Sequence, residues 1–164
     1  QIWMQSLYER SVCSVMKALC DTNIILDVLL AREPFVKASA EVLHLCEKRE
    51  INGFTTASCI TDIFYIVRKY LHDIERTYQA IEKILEIIHV CDVTSADIQE
   101  ALLRRASDFE DCLAATCARS IHCDCIITRD VKGFADLGIP TFTPEEALQK
   151  QLNLCNSTNV RKDG

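Results

Sequence analysis

The sequence predicts a three-layer α/β/α sandwich around a mainly parallel central sheet, and three observations carry that prediction. Short apolar runs alternate with longer stretches of helical periodicity, the pattern of strands joined by crossover helices. Only four Gly and three Pro occur in 164 residues, which leaves little room for long flexible linkers. The length suits one domain with a single sizeable core, and neither an internal repeat nor a second domain is visible.

The elements follow in order. Met16-Lys17-Ala18-Leu19-Cys20 reads as a natural start, with Ala18 to Cys20 as a short buried strand. Residues 1–15 lie ahead of it as an extension, native or added, and show no secretory signal pattern. A helix over Thr22 to Ala31 closes near Glu33-Pro34. A second, Phe35 to Lys48, carries Val36, Ala40, Leu43 and Cys46 at helical spacing. Ile51 to Thr56 is β-rich and feeds a helix from about Ser58, striped by Ile60, Ile63, Phe64, Val67 and Leu71.

Asp73 to Ile88 is the clearest amphipathic helix. His89 to Val93 follows as a strand, and Ser95 to Ala106 as a helix with Ser95 as its N-cap. Glu110 to Ile121 is almost entirely apolar on its inner positions, which implies burial. Cys125 to Thr128 is a strand, and Thr141-Phe142 a short edge strand. Thr143-Pro144-Glu145-Glu146 supplies an N-cap, a proline at the first helical position and a capping-box glutamate. The domain is expected to span residues 16–152, with 153–164 a polar, disordered tail.

Composition narrows the function. A net charge of −6 argues against sequence-blind nucleic-acid binding through a broad basic surface. Local clusters at Arg68-Lys69, Arg104-Arg105 and Arg129/Lys132 remain available to phosphates. Ten cysteines are too few, and too deeply set in apolar runs, for a disulfide scaffold. Cys20, Cys59, Cys91, Cys117 and Cys125 read as small hydrophobes in a reducing cytoplasm. His122-Cys123-Asp124-Cys125 lacks a second ligand pair at zinc spacing. No apolar run approaches the ~20 residues that span a bilayer.

Asp residues recur where a strand ends or a buried helix begins. Asp21 leaves the first strand, Asp62 lies early in the helix after the second, Asp108 and Asp111 open the buried helix, and Asp130 follows Ile126-Ile127-Thr128. In an open parallel sheet the strand C-termini share one edge, so these acids can converge there. Clustered carboxylates repel and raise one another's pKa; a hard cation relieves both effects. Helix capping alone also favours Asp at such positions, and Asp108 has capping spacing to Asp111. Asp27, on the first helix, reads as a surface residue only.

These blocks resemble the PIN-domain family, and in particular its VapC-type toxin-like ribonucleases. ALCDTNIILDVLL is similar to the family's opening motif, TASCITDIFYIVRK to its second acidic helix, DFEDCLAATCA to its third, and IITRDVKGF with GIPTFTPEEAL to its closing strand, loop and helix. The resemblance runs from about Met16 to Leu148. It implies a catalytic and metal-binding set of Asp21, Asp62, Asp111 and Asp130, supported by Asn23, Thr128 and Asp108. Arg129 and Lys132 are the candidates for the substrate phosphate. The implied chemistry is Mg²⁺- or Mn²⁺-dependent endoribonuclease cleavage by water. The expected partners are an RNA substrate, an antitoxin protein and a second copy of the chain, with no membrane.

Two positions depart from the family pattern. Asp62 stands where the wider family mostly has Glu, which shortens its reach and makes metal contact through water the expectation. Gly133 stands where many relatives carry a further Asp before Phe134. Both features favour the alternative reading, a weakly active or inactive PIN scaffold that binds RNA or protein. Phosphoryl transfer on a similar sheet fits poorly: haloacid-dehalogenase-like phosphatases need an Asp where Asn23 stands. Thr55-Thr56 and Ile139-Pro140 match no response-regulator receiver.

Overall fold

The computed structural model describes residues 15–160, with side chains through residue 157. Five strands form one all-parallel sheet: β1 (Met16–Cys20), β2 (Ile51–Thr56), β3 (His89–Cys91), β4 (Cys125–Ile127) and β5 (Thr141–Phe142), in the spatial order β3-β2-β1-β4-β5. Among the described residues, seven helices flank it: α1 (Thr22–Leu29), α2 (Val36–Glu47), α3 (Ala57–Leu71), α4 (Ile74–Ile87), α5 (Ser95–Arg104), α6 (Phe109–Ser120) and α7 (Pro144–Val160). The predicted three-layer class is the one observed.

Alternation along β1 divides the core between the two faces, as a pleated strand requires. Ala18 and Cys20 pack with Ile24 and Ile25 of α1, Val42 of α2, Ile63 and Val67 of α3, and Ile81 and Ile84 of α4. Leu19 and Ile126 pack on the opposite face with Ala101 of α5 and Ala114, Ala115 and Ala118 of α6. Small side chains on α6 let that helix lie close to the sheet. Fully burying each Leu, Ile or Val stabilises the fold by about 1.5–3 kcal/mol. No helix among the described residues is long and apolar enough to cross a membrane.

Chain order reverses at β1: β2 and β3 are added on one side, β4 and β5 on the other. The crevice at the C-termini of β1 and β4 is therefore the switch point at which such sheets bind ligands. The Asp21 amide donates to the Ile127 carbonyl at 2.9 Å and ties the two strand ends together.

Four expectations need correction. Thr94, not Ser95, caps α5: its hydroxyl accepts from the Asp97 amide while the Asp97 carboxylate accepts from the Thr94 amide. Only Thr94 has an acid three residues on, so only it can close the reciprocal box. α1 stops at Leu29 rather than Ala31, because Ala31 turns into the left-handed region at φ 49°. The stretch after Leu154 is not disordered through residue 160, since α7 continues to Val160. Gln149 to Asn153 and Ser157 to the Asn153 carbonyl supply local support there, and Leu148 packs on the core. Asp27 is fully buried rather than on the surface, for a reason given below. The expectation for residues 1–15 lies, apart from Val15, outside the described residues, as do residues 161–164 of the tail.

Candidate functional site

Asp21 is the N-cap of α1 at the exit of β1, with its Oδ1 accepting from the Thr22 amide at 2.7 Å. Its Oδ2 accepts from the Asn23 amide group at 2.8 Å and from the Thr128 hydroxyl at 2.7 Å. Thr128, fully buried just past β4, also accepts from Asn23 Nδ2 at 3.1 Å and from the Asp130 amide at 3.0 Å. The strand end, the helix start and the loop after β4 are thus tied together around one carboxylate.

Asp111 sits in the first turn of α6, its amide held by the Asp108 carboxylate at 3.1 Å. Asp108 is therefore the N-cap of α6, as capping spacing implied. Asp130 Oδ1 accepts from the Gly133 amide at 3.0 Å. A methyl group at Gly133 would lie 2.6 Å from Asp130 Oδ2 and 2.7 Å from Asp111 Oδ2. Asp111 and Asp130 therefore crowd the same small space above the Gly133 backbone.

Electrostatics reports the same crowding. Burial first, then Asp108, Asp21, Asp130 and Glu110, push the Asp111 carboxyl up to about 7. Asp21 is also raised, by burial first and by Asp130, against the lowering effect of its hydrogen bonds from Thr128 and Thr22. Among the described residues, the Thr22 hydroxyl beside it is buried without a hydrogen-bond partner. Oxygen donors forced together in this way suit a hard divalent cation such as Mg²⁺ or Mn²⁺. No three acidic, histidine or cysteine side chains among the described residues stand at ligand spacing around one point. The carboxylates rim an open crevice and would have to draw in on an ion.

Asp62 meets the group through Glu110. It is exposed on α3, and its neighbour in this group is Glu110, whose carboxyl is raised by displacement of water and then by Asp62, Asp108 and Asp21. Sequence reasoning missed Glu110, although it stands beside Asp111 at the start of α6. Its signal was position: the first turn of a helix aimed at the shared edge.

A cleft of about 500 Å³ opens over Asp108, Asp111 and Asp130, with Arg104 and Lys132 also on its walls. Arg68 and Lys69 line a different cleft, with Tyr65 and His72. Arg129 does not face the acids as a free cation. Its Nε and Nη2 donate to Asp27 at 2.7 and 3.0 Å, and its charge lowers the Asp21 carboxyl.

The five cysteines expected to be buried, Cys20, Cys59, Cys91, Cys117 and Cys125, are buried and in no disulfide. Burial pushes Cys117, Cys123 and Cys125 up to about 12, so they stay protonated.

The sequence profile of the PIN domain matches residues 17–132. No curated protein sequence matches significantly. Among solved structures, a toxin-antitoxin complex from Klebsiella pneumoniae is 22% identical with a TM-score of 0.58, covering 77% of this chain and 97% of that one. VapBC2 from Rickettsia felis, bound to a DNA fragment from its promoter, is 15% identical with a TM-score of 0.62, covering 78% and 98%. FitAcB from Neisseria gonorrhoeae is 19% identical with a TM-score of 0.55, covering 78% and 98%. At these identities the structures speak to the fold.

Proposed function

The chain belongs to the PIN domain family, and from that premise we propose that it is a divalent-metal-dependent endoribonuclease, the toxin of a toxin–antitoxin pair. The observation that carries this reading is the convergence of Asp111 and Asp130 on the space over Gly133, where burial first, and then Asp108, Asp21 and Asp130, push the Asp111 carboxyl up to about 7. A site that must hold so many like charges wastes stability unless a cation compensates it. The similarity to toxin-antitoxin structures supports an antitoxin partner. An RNA substrate, a homodimer and a cytoplasmic location belong to the same proposal.

Asp21, Asp111 and Asp130 would hold Mg²⁺ or Mn²⁺, with Asp62 acting through water. When bound, such an ion supplies Lewis acidity toward a phosphodiester and lowers the pKa of water. The protein's own residues set the stage. Thr128 and Asn23 both donate to Asp21 Oδ2 and fix its direction, the outer-sphere support that metal carboxylates need. The Asp108 cap holds the first turn of α6, and with it Asp111. Lys132 and Arg104, on the cleft wall, bring positive charge to the phosphate backbone.

The test is cleavage of single-stranded RNA with Mn²⁺ and with EDTA. Metal-dependent cleavage that Asp21→Asn abolishes supports the reading. If the protein neither cuts RNA nor binds Mn²⁺ at millimolar concentration, the reading fails in favour of the inactive scaffold.

A further inference from the structure

Asp27 poses a question that the acidic crevice does not answer. It is a carboxylate with no exposed surface, in the middle of α1 and among Ile24, Ile25 and Leu26. Burying such a charge is costly unless partners replace the lost water. Three donors do so: Arg129 Nε at 2.7 Å and Ser39 Oγ at 3.1 Å on Oδ2, and Arg129 Nη2 at 3.0 Å on Oδ1. The two arginine bonds form the parallel fork that a guanidinium makes with a carboxylate. Its cationic carbon also lies 3.9 Å from the centroid of the Phe35 ring.

Arg129 is fixed at its main chain as well. Its amide donates to Asn23 Oδ1 at 3.2 Å, while the other end of the Asn23 side chain donates to Asp21. Its chain neighbours are Thr128 and Asp130, the residues that hold Asp21 and crowd Asp111. Farther along, Phe134 and Leu137 anchor the loop after β4 in the core, while beside the crevice Thr128 and Asp130 are held by hydrogen bonds. A residue gripped at both ends between those two positions determines where they stand.

We propose that Asp27 and Arg129 are positioning residues, a buried clamp that fixes the Thr128–Asp130 turn over Asp21 and so sets the spacing of the acidic site. The clamp rests on the nuclease reading only for its purpose; its mechanics concern the loop alone. A structural ion pair can be replaced by apolar side chains of similar size with little loss of stability. A positioning pair cannot, because packing does not reproduce the direction of the fork.

That difference supplies the test, on the full chain. Wild type, Asp27→Asn and the double variant Asp27→Leu/Arg129→Met are compared by amide hydrogen exchange without metal and by Mn²⁺ calorimetry. The double variant leaves no buried charge unpaired, so it folds even where Asp27→Asn does not. The expected result is exchange about 10-fold faster at the Arg129 and Asp130 amides, with Leu19 and Ile126 unchanged. Mn²⁺ affinity falls with it by about 10-fold. Unchanged exchange at Arg129 and Asp130, or equal acceleration across the whole sheet, overturns the clamp. Variants that show the local effect while the wild-type protein binds no Mn²⁺ overturn the nuclease reading and leave the clamp standing.

Discussion

The Thr128 hydroxyl donates to Asp21 Oδ2 at 2.7 Å and joins two strand ends that are 107 residues apart in the chain. Thr128 also accepts from the Asp130 amide, so a single side chain orients one acid and locates another. Thr128→Val keeps the shape and removes both bonds together with the one accepted from Asn23 Nδ2. Loss of such support typically costs 10–100-fold in metal affinity, so Mn²⁺ binding should weaken by at least about 10-fold. Calorimetry checks this, and unchanged affinity would remove Thr128 from the site.

Asp21→Asn should leave the circular dichroism spectrum intact and reduce metal-dependent cleavage by at least about 100-fold, since several kcal/mol of transition-state stabilisation depend on the ion. Single-turnover RNA cleavage reads it. Residual wild-type rates would dismiss the assignment of Asp21.

Asp111 makes metal-free stability pH-dependent. Its folded carboxyl titrates at about 7, above the ordinary Asp range, so the folded state binds the proton more tightly than the unfolded chain. The stabilisation is fully present below about pH 4 and is lost as pH rises toward 7. The melting temperature of the metal-free protein, relative to that of Asp111→Asn, should therefore fall between pH 4 and 7. Mn²⁺ should reverse the fall. Parallel pH profiles for the two proteins would refute the shifted carboxyl.

Gly133 is required for close approach and not for its backbone angle, because its φ lies outside the left-handed region. Gly133→Ala should push the Asp111 and Asp130 carboxylates apart and weaken Mn²⁺ binding, while stability changes by less than about 1.5 kcal/mol. Gly133→Asp should do worse in the absence of metal, since a third charge enters the same space. Calorimetry and thermal melts distinguish these effects.

Under the nuclease reading, Lys132→Ala should raise KM for RNA several-fold, leave kcat nearly unchanged and flatten the salt dependence of binding, because the side chain on the cleft wall would meet phosphate. Cleavage kinetics at 50 and 200 mM salt provide the measurement.

Much of this architecture was legible in local pattern. Strand–helix alternation specified the sheet, and Asp21, Asp111 and Asp130 stood out because each occupies the same topological place at an element boundary. Thr94 was legible too, had the Asp three residues on been weighed over the adjacent serine. Asp27 was not. Its burial depends on Arg129, 102 residues away, and no periodicity within α1 carries that information. Helix α7 was misjudged for a related reason: the polarity of its last turns hid a continuation supported by bonds four residues apart. Glu110 shows a further limit, because its relation to Asp62 joins α3 to α6 and can be seen only once both are folded.

The seam between the first and fourth strands has a consequence for biosynthesis. A ribosome delivers Asp21 and Asn23 together, but the Thr128 hydroxyl that completes their network arrives more than a hundred codons later. A nascent or prematurely terminated chain that stops before Thr128 carries the first acid without that hydroxyl and without Asp130. Under the nuclease reading, a harmful activity switches on only once the fourth strand and the turn after it have been made, and products truncated ahead of them are born harmless.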